Sequence, residues 1–466
     1  MEKVAMKDKI KIVLIGAGSK TFASSVINDI VSNPDLAAVK VEVALVDINA
    51  DSLKRMLDYA RRAAAYRKSN VEFSATADRR PALAGADFVI LAVDARRMEL
   101  WEQDFRVGAA FGFRHVFGEN AGPGGLFHAL RNLHIIMPIC RDIEAICPEA
   151  VVFNFTNPEA IILTAILTLT RLRAFGLCHG FYALWESVKR LLGREPQTLD
   201  IRTAGINHLF TFYKISDPVT GEDLIPEFKR KIAENIGSFD NLTRFLFEKF
   251  GVLGYHHQEH TGEFISYADE FCVPLWDFGI ETCPVPPQLD RAVTTSDLYW
   301  ARGKDDRKDL AAFLNDGNKG QKRFDAYING QRPLDNEFMM PSGELAIPII
   351  CDIAFDRHTR RPAVNVLNTG RYIPNLSGDG CIEIPAVFCG AGAVPDQAPP
   401  LPEGFAAILR VQHSVHKLMV MAYQEKSRSL LLQALLTDPV TNSALKAEKF
   451  MDYMLELQAP YLPEMR

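Results

Sequence analysis

Four short segments of this sequence carry residue types that can do chemistry. Gly16-Ala17-Gly18-Ser19 follows an apolar, β-branched run and precedes helix-forming sequence. Glycines at such a turn let the backbone approach a pyrophosphate, whose charge then faces the helix N-terminus. Thr21 stands where a third glycine would complete GxGxxG, so the match is partial. Asp47 closes the next strand-like run, about where an acid binds the ribose diol of an adenosine. An acid there favours NAD over NADP, whose 2′-phosphate it would repel. The other segments are Asn154-Phe155-Thr156-Asn157-Pro158, Cys178-His179-Gly180 and Gly205-Ile206-Asn207-His208. A thiolate and an imidazole make half of a metal site and leave positions open for substrate oxygens. Taken singly, the same residues also read as a buried cysteine, a core histidine and asparagines capping a helix that starts near Glu159.

The elements that must position them alternate along the first half of the chain. Strands are predicted at Lys9–Ile15, Val41–Val46, Ala86–Val93, Val151–Phe155 and Phe175–Cys178, with helices at Thr21–Ser32 and Ser52–Lys68. The Ala86–Val93 run is continuously apolar, as in strands buried on both faces. Strand and helix alternating at these intervals give βαβ units, so the predicted class is α/β with a doubly wound parallel sheet. Ligands bind at the carboxyl ends of such strands, where the polar segments would converge. Proline-rich punctuation at 274–287 and 394–402 breaks up the second half. Gly404–Asp438 reads as one long amphipathic helix, with Met419, Met421 and Leu430–Leu432 as core or subunit interface. His128 and His134 read as helix-face residues without function. The simplest division is a Rossmann-like NAD-binding domain at 1–200 and an α+β catalytic and oligomerisation domain at 201–466.

Composition removes several function classes. The chain has 466 residues, 48% hydrophobic and 24% charged, which excludes a disordered or low-complexity protein. Acidic residues exceed basic ones by 58 to 52, and no basic run offers a footprint for nucleic acid. Eight cysteines without a CxxC spacing fit neither a disulfide scaffold nor a zinc ribbon. The N-terminal apolar run ends in a glycine loop, and Ala160–Leu169 is too short to span a bilayer. No membrane partner and a reducing cytoplasm are therefore expected.

In order along the chain stand IVLIGAGS at 12–19, Gly118-Glu119-Asn120-Ala121-Gly122-Pro123-Gly124-Gly125, NFTNP at 154–158 and CHG at 178–180. They are followed by GINH at 205–208 and by Asn375-Leu376 through Glu383-Ile384-Pro385. This series resembles glycoside hydrolase family 4, the NAD- and divalent-metal-dependent glycosidases, over almost the whole chain. The resemblance implies a sheet like that of lactate and malate dehydrogenases. It implies Cys178 and His208 as ligands of a divalent metal, Mn²⁺ foremost, with Gly16, Gly18, Ser19, Asp47 and Asn154 on the cofactor side. His179 stands where the family places its proton donor, Asn157 would contact both the cofactor side and sugar hydroxyls, and Glu119 would touch the sugar. Members acting on 6-phosphorylated sugars resemble one another in having Asp or Asn at the His179 position. The histidine here therefore looks like the branch for unphosphorylated α-hexosides and α-hexuronides. The general base should lie within Gly254–Phe264, with Glu259 or His260 favoured and Tyr267 as the fallback.

Family 4 is an exception to two-carboxylate glycoside hydrolysis. The resemblance implies oxidation at the sugar C3, deprotonation at C2, elimination of the aglycone, water addition and re-reduction, so that NAD is a bound catalyst. A small-molecule glycoside and a homodimer or homotetramer are the expected partners. Two other readings are a 2-hydroxyacid dehydrogenase and a non-catalytic NAD-binding sensor. The first leaves CHG and GINH without a role, and the second would not need both Cys178 and His208.

Overall fold

The computed structural model describes residues 8–254, 258–272 and 322–466. Its organising feature is one sheet of eleven strands. Six are parallel, in the order β3 (Glu72–Thr76), β2 (Lys40–Val46), β1 (Lys9–Ile15), β4 (Phe88–Leu91), β5 (Val151–Asn154) and β6 (Arg173–Gly176). Strand order reverses beside β1, which makes the doubly wound Rossmann arrangement and opens a crevice at the strand ends there.

Alternation along each strand divides the core between the two faces. Ile10, Ile12 and Leu14 of β1 join one cluster, with Val26, Ile27 and Ile30 of helix Lys20–Ser32 and Met56, Tyr59 and Ala60 of helix Ala50–Arg67. Val13 and Ile15 join the other, with helices Gly122–Ile146, Glu159–Leu169 and Glu403–Glu425. Both faces are covered, which is why central strand β4, FVIL, reads as an unbroken apolar run.

The sheet continues beyond the parallel half. β9 (Thr359–Leu367) lies antiparallel to β6, and β10 (Cys381–Cys389) antiparallel to β9. β10 then meets the hairpin of β7 (Asp200–Ile206) and β8 (Leu209–Ser216), while β11 (Gly392–Pro395) folds back on β10. Gly176, Asn365, Glu383 and Gly205 are paired in one row across β6, β9, β10 and β7. That row brings Cys178, just past Gly176, toward His208, just past Gly205.

Three predicted elements differ, and β3 is a strand that the pattern does not predict. The strands end earlier than their apolar runs, at Leu91 and at Gly176, so Leu177 and Cys178 lie beyond the sheet. β3 is a half-exposed edge strand, EFSAT, and its mixed polarity gave no period-two signal. The Gly404–Asp438 helix is two helices, Glu403–Glu425 and Arg428–Thr437. The break sits at Lys426, with φ +53°, where Ser427 Oγ caps the second helix by accepting from Leu430 N. The C-terminus ties the break down: Arg466 N donates to Lys426 O and Arg428 N to Arg466 O.

Candidate active site

The β1–β2 end of the crevice is made of backbone. Gly16 has φ +93°, and a Cβ on it would lie 2.0 Å from the Ala92 carbonyl oxygen. A Cβ on Gly18 would lie 2.6 Å from the Asp47 carboxylate. Side chains at either position would fill the turn that a pyrophosphate must approach. Asp47 Oδ2 accepts from Gly18 N at 2.7 Å and Oδ1 from Asn49 N at 2.8 Å, so the acid is fixed at the mouth of the glycine turn. Ser19 caps helix Lys20–Ser32, its Oγ accepting from Phe22 N at 3.2 Å. Asn154 is differently placed from a cofactor contact. It is fully buried and its amide closes on Thr156, accepting from Thr156 N and donating to Thr156 O. Neither Asn154 nor Asn157 caps the next helix, whose N-cap is Pro158 without a side-chain hydrogen bond.

At the β6–β7 end, side chains do the work. Ile206 pairs with Leu209, leaving Asn207 and His208 as a two-residue hairpin turn. His208 is buried and has φ +64°, a left-handed conformation that costs an L-residue about 1–2 kcal/mol. The surroundings hold it there. Asn207 Nδ2 donates to Glu383 Oε2 at 3.0 Å, and Asn120 Nδ2 lies 3.2 Å from His208 Nδ1. His208 Nε2 faces Cys178 Sγ at 3.3 Å, so the two donors of the CHG and GINH segments do meet. Burial and the Glu383 carboxylate push the Cys178 thiol well above its ordinary pKa, so a cation bound here must displace a proton.

Around that pair is a ring of charge. His260 stacks edge-on to His208 and to Phe117, with ring centroids 4.5 Å and 4.4 Å away. Its Nδ1 is 3.9 Å from Glu119 and 3.7 Å from Glu263. Glu119 is paired with Arg97 and accepts from Asn157 Nδ2 at 3.1 Å. Burial alone would raise the Glu119 carboxyl, but Arg97, His260, His128 and His208 outweigh it and hold the pKa at about 2. His179 is exposed, and its Nδ1 lies 3.0 Å from Glu344 Oε1, a contact that raises the histidine's pKa and keeps it protonated to higher pH. The side chain of Glu259 lies outside the described part of the structure, as do Tyr255, His256 and His257. The ring of Tyr267, the fallback base, packs against Phe245 and Phe271.

Several side chains that shape the site have no role in the sequence motifs. Glu263, fully buried, accepts from the amides of Glu119, Asn120 and Ala121 and thereby shapes the Gly118–Gly122 loop. Asp438 accepts from Gly122 N at 3.1 Å and closes the same loop from behind. Glu383 is buried beneath Asn207, and burial, eased by hydrogen bonds from Asn207 and Asn365, lifts its pKa to about 7. His128 corrects an expectation. It is a buried link rather than an idle helix-face residue, with Nδ1 at 2.8 Å from Glu119 O and Nε2 at 3.1 Å from Asp94. The one sequence-level signal was an acid inside an apolar strand, Glu383 in CIEIPAVFC. His208, His260 and Glu263 also place ligand atoms within 4.8 Å of one another. Glu263 is already engaged by three amides and by Asn120, which favours Cys178 with His208 as the metal pair.

Residues 11–194 match the family model described as Family 4 glycosyl hydrolase, and residues 203–441 match the model of its C-terminal domain. The chain belongs to glycoside hydrolase family 4. This family-4 glycosidase is 29% identical to an α-glucosidase of Erwinia rhapontici, covering 97% of this chain and 98% of that one. It is 28% identical to an α-galactosidase of Bacillus subtilis, covering 97% and 99%. Its fold matches the structure of a 6-phospho-α-glucosidase from gut microorganisms in complex with NAD and Mn²⁺, with TM-score 0.76, 22% identity and coverage of 98% and 100%. Among the described residues of this family-4 chain, no helix is long and apolar enough to cross a membrane.

Proposed function

We propose that this glycosidase hydrolyses an unphosphorylated α-hexoside or α-hexuronide, using NAD and a divalent metal, Mn²⁺ foremost. The observation that carries the proposal is the 3.3 Å approach of Cys178 Sγ and His208 Nε2 at the edge of the crevice that begins at Gly16. The bare glycine turn and the fixed Asp47 fit a dinucleotide with a free ribose diol. A soft thiolate beside an imidazole fits a transition-metal cation with positions left for two sugar oxygens. When bound, NAD supplies reversible hydride removal at the sugar and the metal supplies Lewis-acid polarisation of its oxygens.

The chain's own side chains do the rest. Asn157 and Glu119 orient the sugar hydroxyls, Arg97 keeping Glu119 ionised. His260, lying between His208 and two carboxylates, takes the proton from C2, with Glu259 as the second candidate. His179, held protonated by Glu344, gives a proton to the glycosidic oxygen as the bond to C1 breaks. A histidine in this place, rather than Asp or Asn, supports an unphosphorylated substrate, as do the α-glucosidase and α-galactosidase relatives. A homodimer or homotetramer belongs to the same proposal.

The test is p-nitrophenol release from a panel of α- and β-hexosides and hexuronides, with NAD⁺, Mn²⁺ and thiol together and with each left out. Release from one α-sugar that needs all three is the expected result. Release that ignores NAD⁺ and metal overturns the proposal, and silence across the panel with NAD⁺ bound favours a sensor.

A further inference from the structure

A second cluster of unlike metal-ligand types lies far from the active site. Asp356, His358 and Cys389 place a carboxylate oxygen, an imidazole nitrogen and a sulfur within 4.8 Å of one another. Cys389 ends β10, about 20 Å along the strand from Glu383 at roughly 3.4 Å per residue. The other two residues come from the turn between helix Ala346–Ala354 and the start of β9. Asp356 and His358 have φ +50° and +54°, so two non-glycine residues of one short turn are held left-handed. Both side chains are thereby delivered to the same corner.

The corner is built as a cation site would be. Gly390 N donates to Asp356 Oδ1 at 2.8 Å, fixing the carboxylate in the way outer hydrogen bonds orient metal ligands. His358 Nε2 lies 3.3 Å from the same oxygen. Cys389 is only 8% exposed, while Asp356 and His358 reach solvent, so the sulfur lies at the floor of the corner and the other two groups at its mouth. The neighbouring cations are already neutralised, Arg357 by Asp35 and Arg360 by Asp396. A histidine–aspartate ion pair would account for two of the three groups, but it gives the thiol no part.

We infer that Asp356, His358 and Cys389 form a second divalent-cation site of zinc type, which pins the turn at 356–358 to the end of β10. One sulfur, one nitrogen and one oxygen with an open fourth position suit Zn²⁺ better than a hard cation such as Mg²⁺. Binding would release the Cys389 thiol proton to solvent and involves no redox step. Because β9 and β10 also carry Asn365 and Glu383, the cation would brace the strands under the active site from their far end.

The experiment is zinc stoichiometry on the full chain, stripped with chelator, reloaded with Zn²⁺ and desalted, for the wild type, His358→Ala, Cys389→Ser and Cys178→Ser. The expected result is one zinc that survives Cys178→Ser and is lost in His358→Ala, with any further zinc showing the opposite pattern. Zinc should raise the melting temperature of Cys178→Ser but leave the double variant Cys178→Ser/His358→Ala unmoved. Co²⁺ loading of Cys178→Ser should give a thiolate charge-transfer band that Cys389→Ser in the same background removes. His358 is exposed, so its variant keeps the test decisive if Cys389→Ser fails to fold. Zinc binding untouched by His358→Ala, or no retained zinc in Cys178→Ser, overturns the inference. Zinc in the wild type that Cys178→Ser removes belongs to the Cys178–His208 pair, so the two sites are scored separately.

Discussion

At the β1–β2 end of the crevice, Gly16, Gly18 and Asp47 act through backbone amides and one carboxylate within a single βαβ unit. At the β6–β7 end, Cys178, His208, His260 and Glu119 come from four separate segments and meet through side chains. The first end needs bare backbone and little else, because a dinucleotide's phosphates and diol find donors and acceptors fixed by the turn. The second end must hold unlike charges close together, so it uses carboxylates for alignment, two of them buried. Glu263 shapes the Gly118–Gly122 loop, Glu383 holds the His208 turn and Glu344 holds His179. The half proposed for the cofactor is a local motif, whereas the half proposed for the metal is an assembly.

Three variants separate the halves. Cys178→Ser should have the largest effect, lowering turnover roughly 10³-fold through loss of several kcal/mol of Lewis-acid stabilisation, while NAD⁺ still binds. Unchanged turnover with Mn²⁺ would remove the metal assignment. Glu263→Gln should lower kcat about 10–100-fold, as loss of an outer-shell partner does, and leave NAD⁺ affinity unmoved. A fall in NAD⁺ affinity as large as the fall in kcat would mean that the two ends are not separable. Asp47→Ala should act on the other end alone, weakening NAD⁺ binding by about 1–3 kcal/mol, with kcat restored at saturating NAD⁺. Titration calorimetry with NAD⁺ checks it, and an unaltered affinity would sink the ribose-diol role.

The same contrast explains what was legible in the sequence. The glycine turn, its preceding strand and Asp47 lie in one continuous stretch, and the run KIKIVLI, alternating and then apolar, puts strand β1 where the residues say. The family-4 order of motifs marked Cys178 and His208, but not what holds them. The Gly176–Asn365–Glu383–Gly205 row joins strands far apart in sequence and in antiparallel order, which no local period reveals. His128 looked idle because a lone histidine on an apolar helix face gives no sign of Asp94 and the Glu119 carbonyl opposite it. The break in the Gly404–Asp438 stretch is silent in the sequence for a similar reason. It depends on Ser427 and on Arg466 at the far end of the chain, not on a glycine or proline.

Proton removal at C2 by the side chains around Cys178 and His208 is the step that sets this account apart from ordinary glycoside hydrolysis. The direct measurement is turnover of a glycoside deuterated at C2, following both rate and label. The account predicts a slowed reaction or loss of deuterium to water in the released sugar. Full retention of the label with no isotope effect would contradict it.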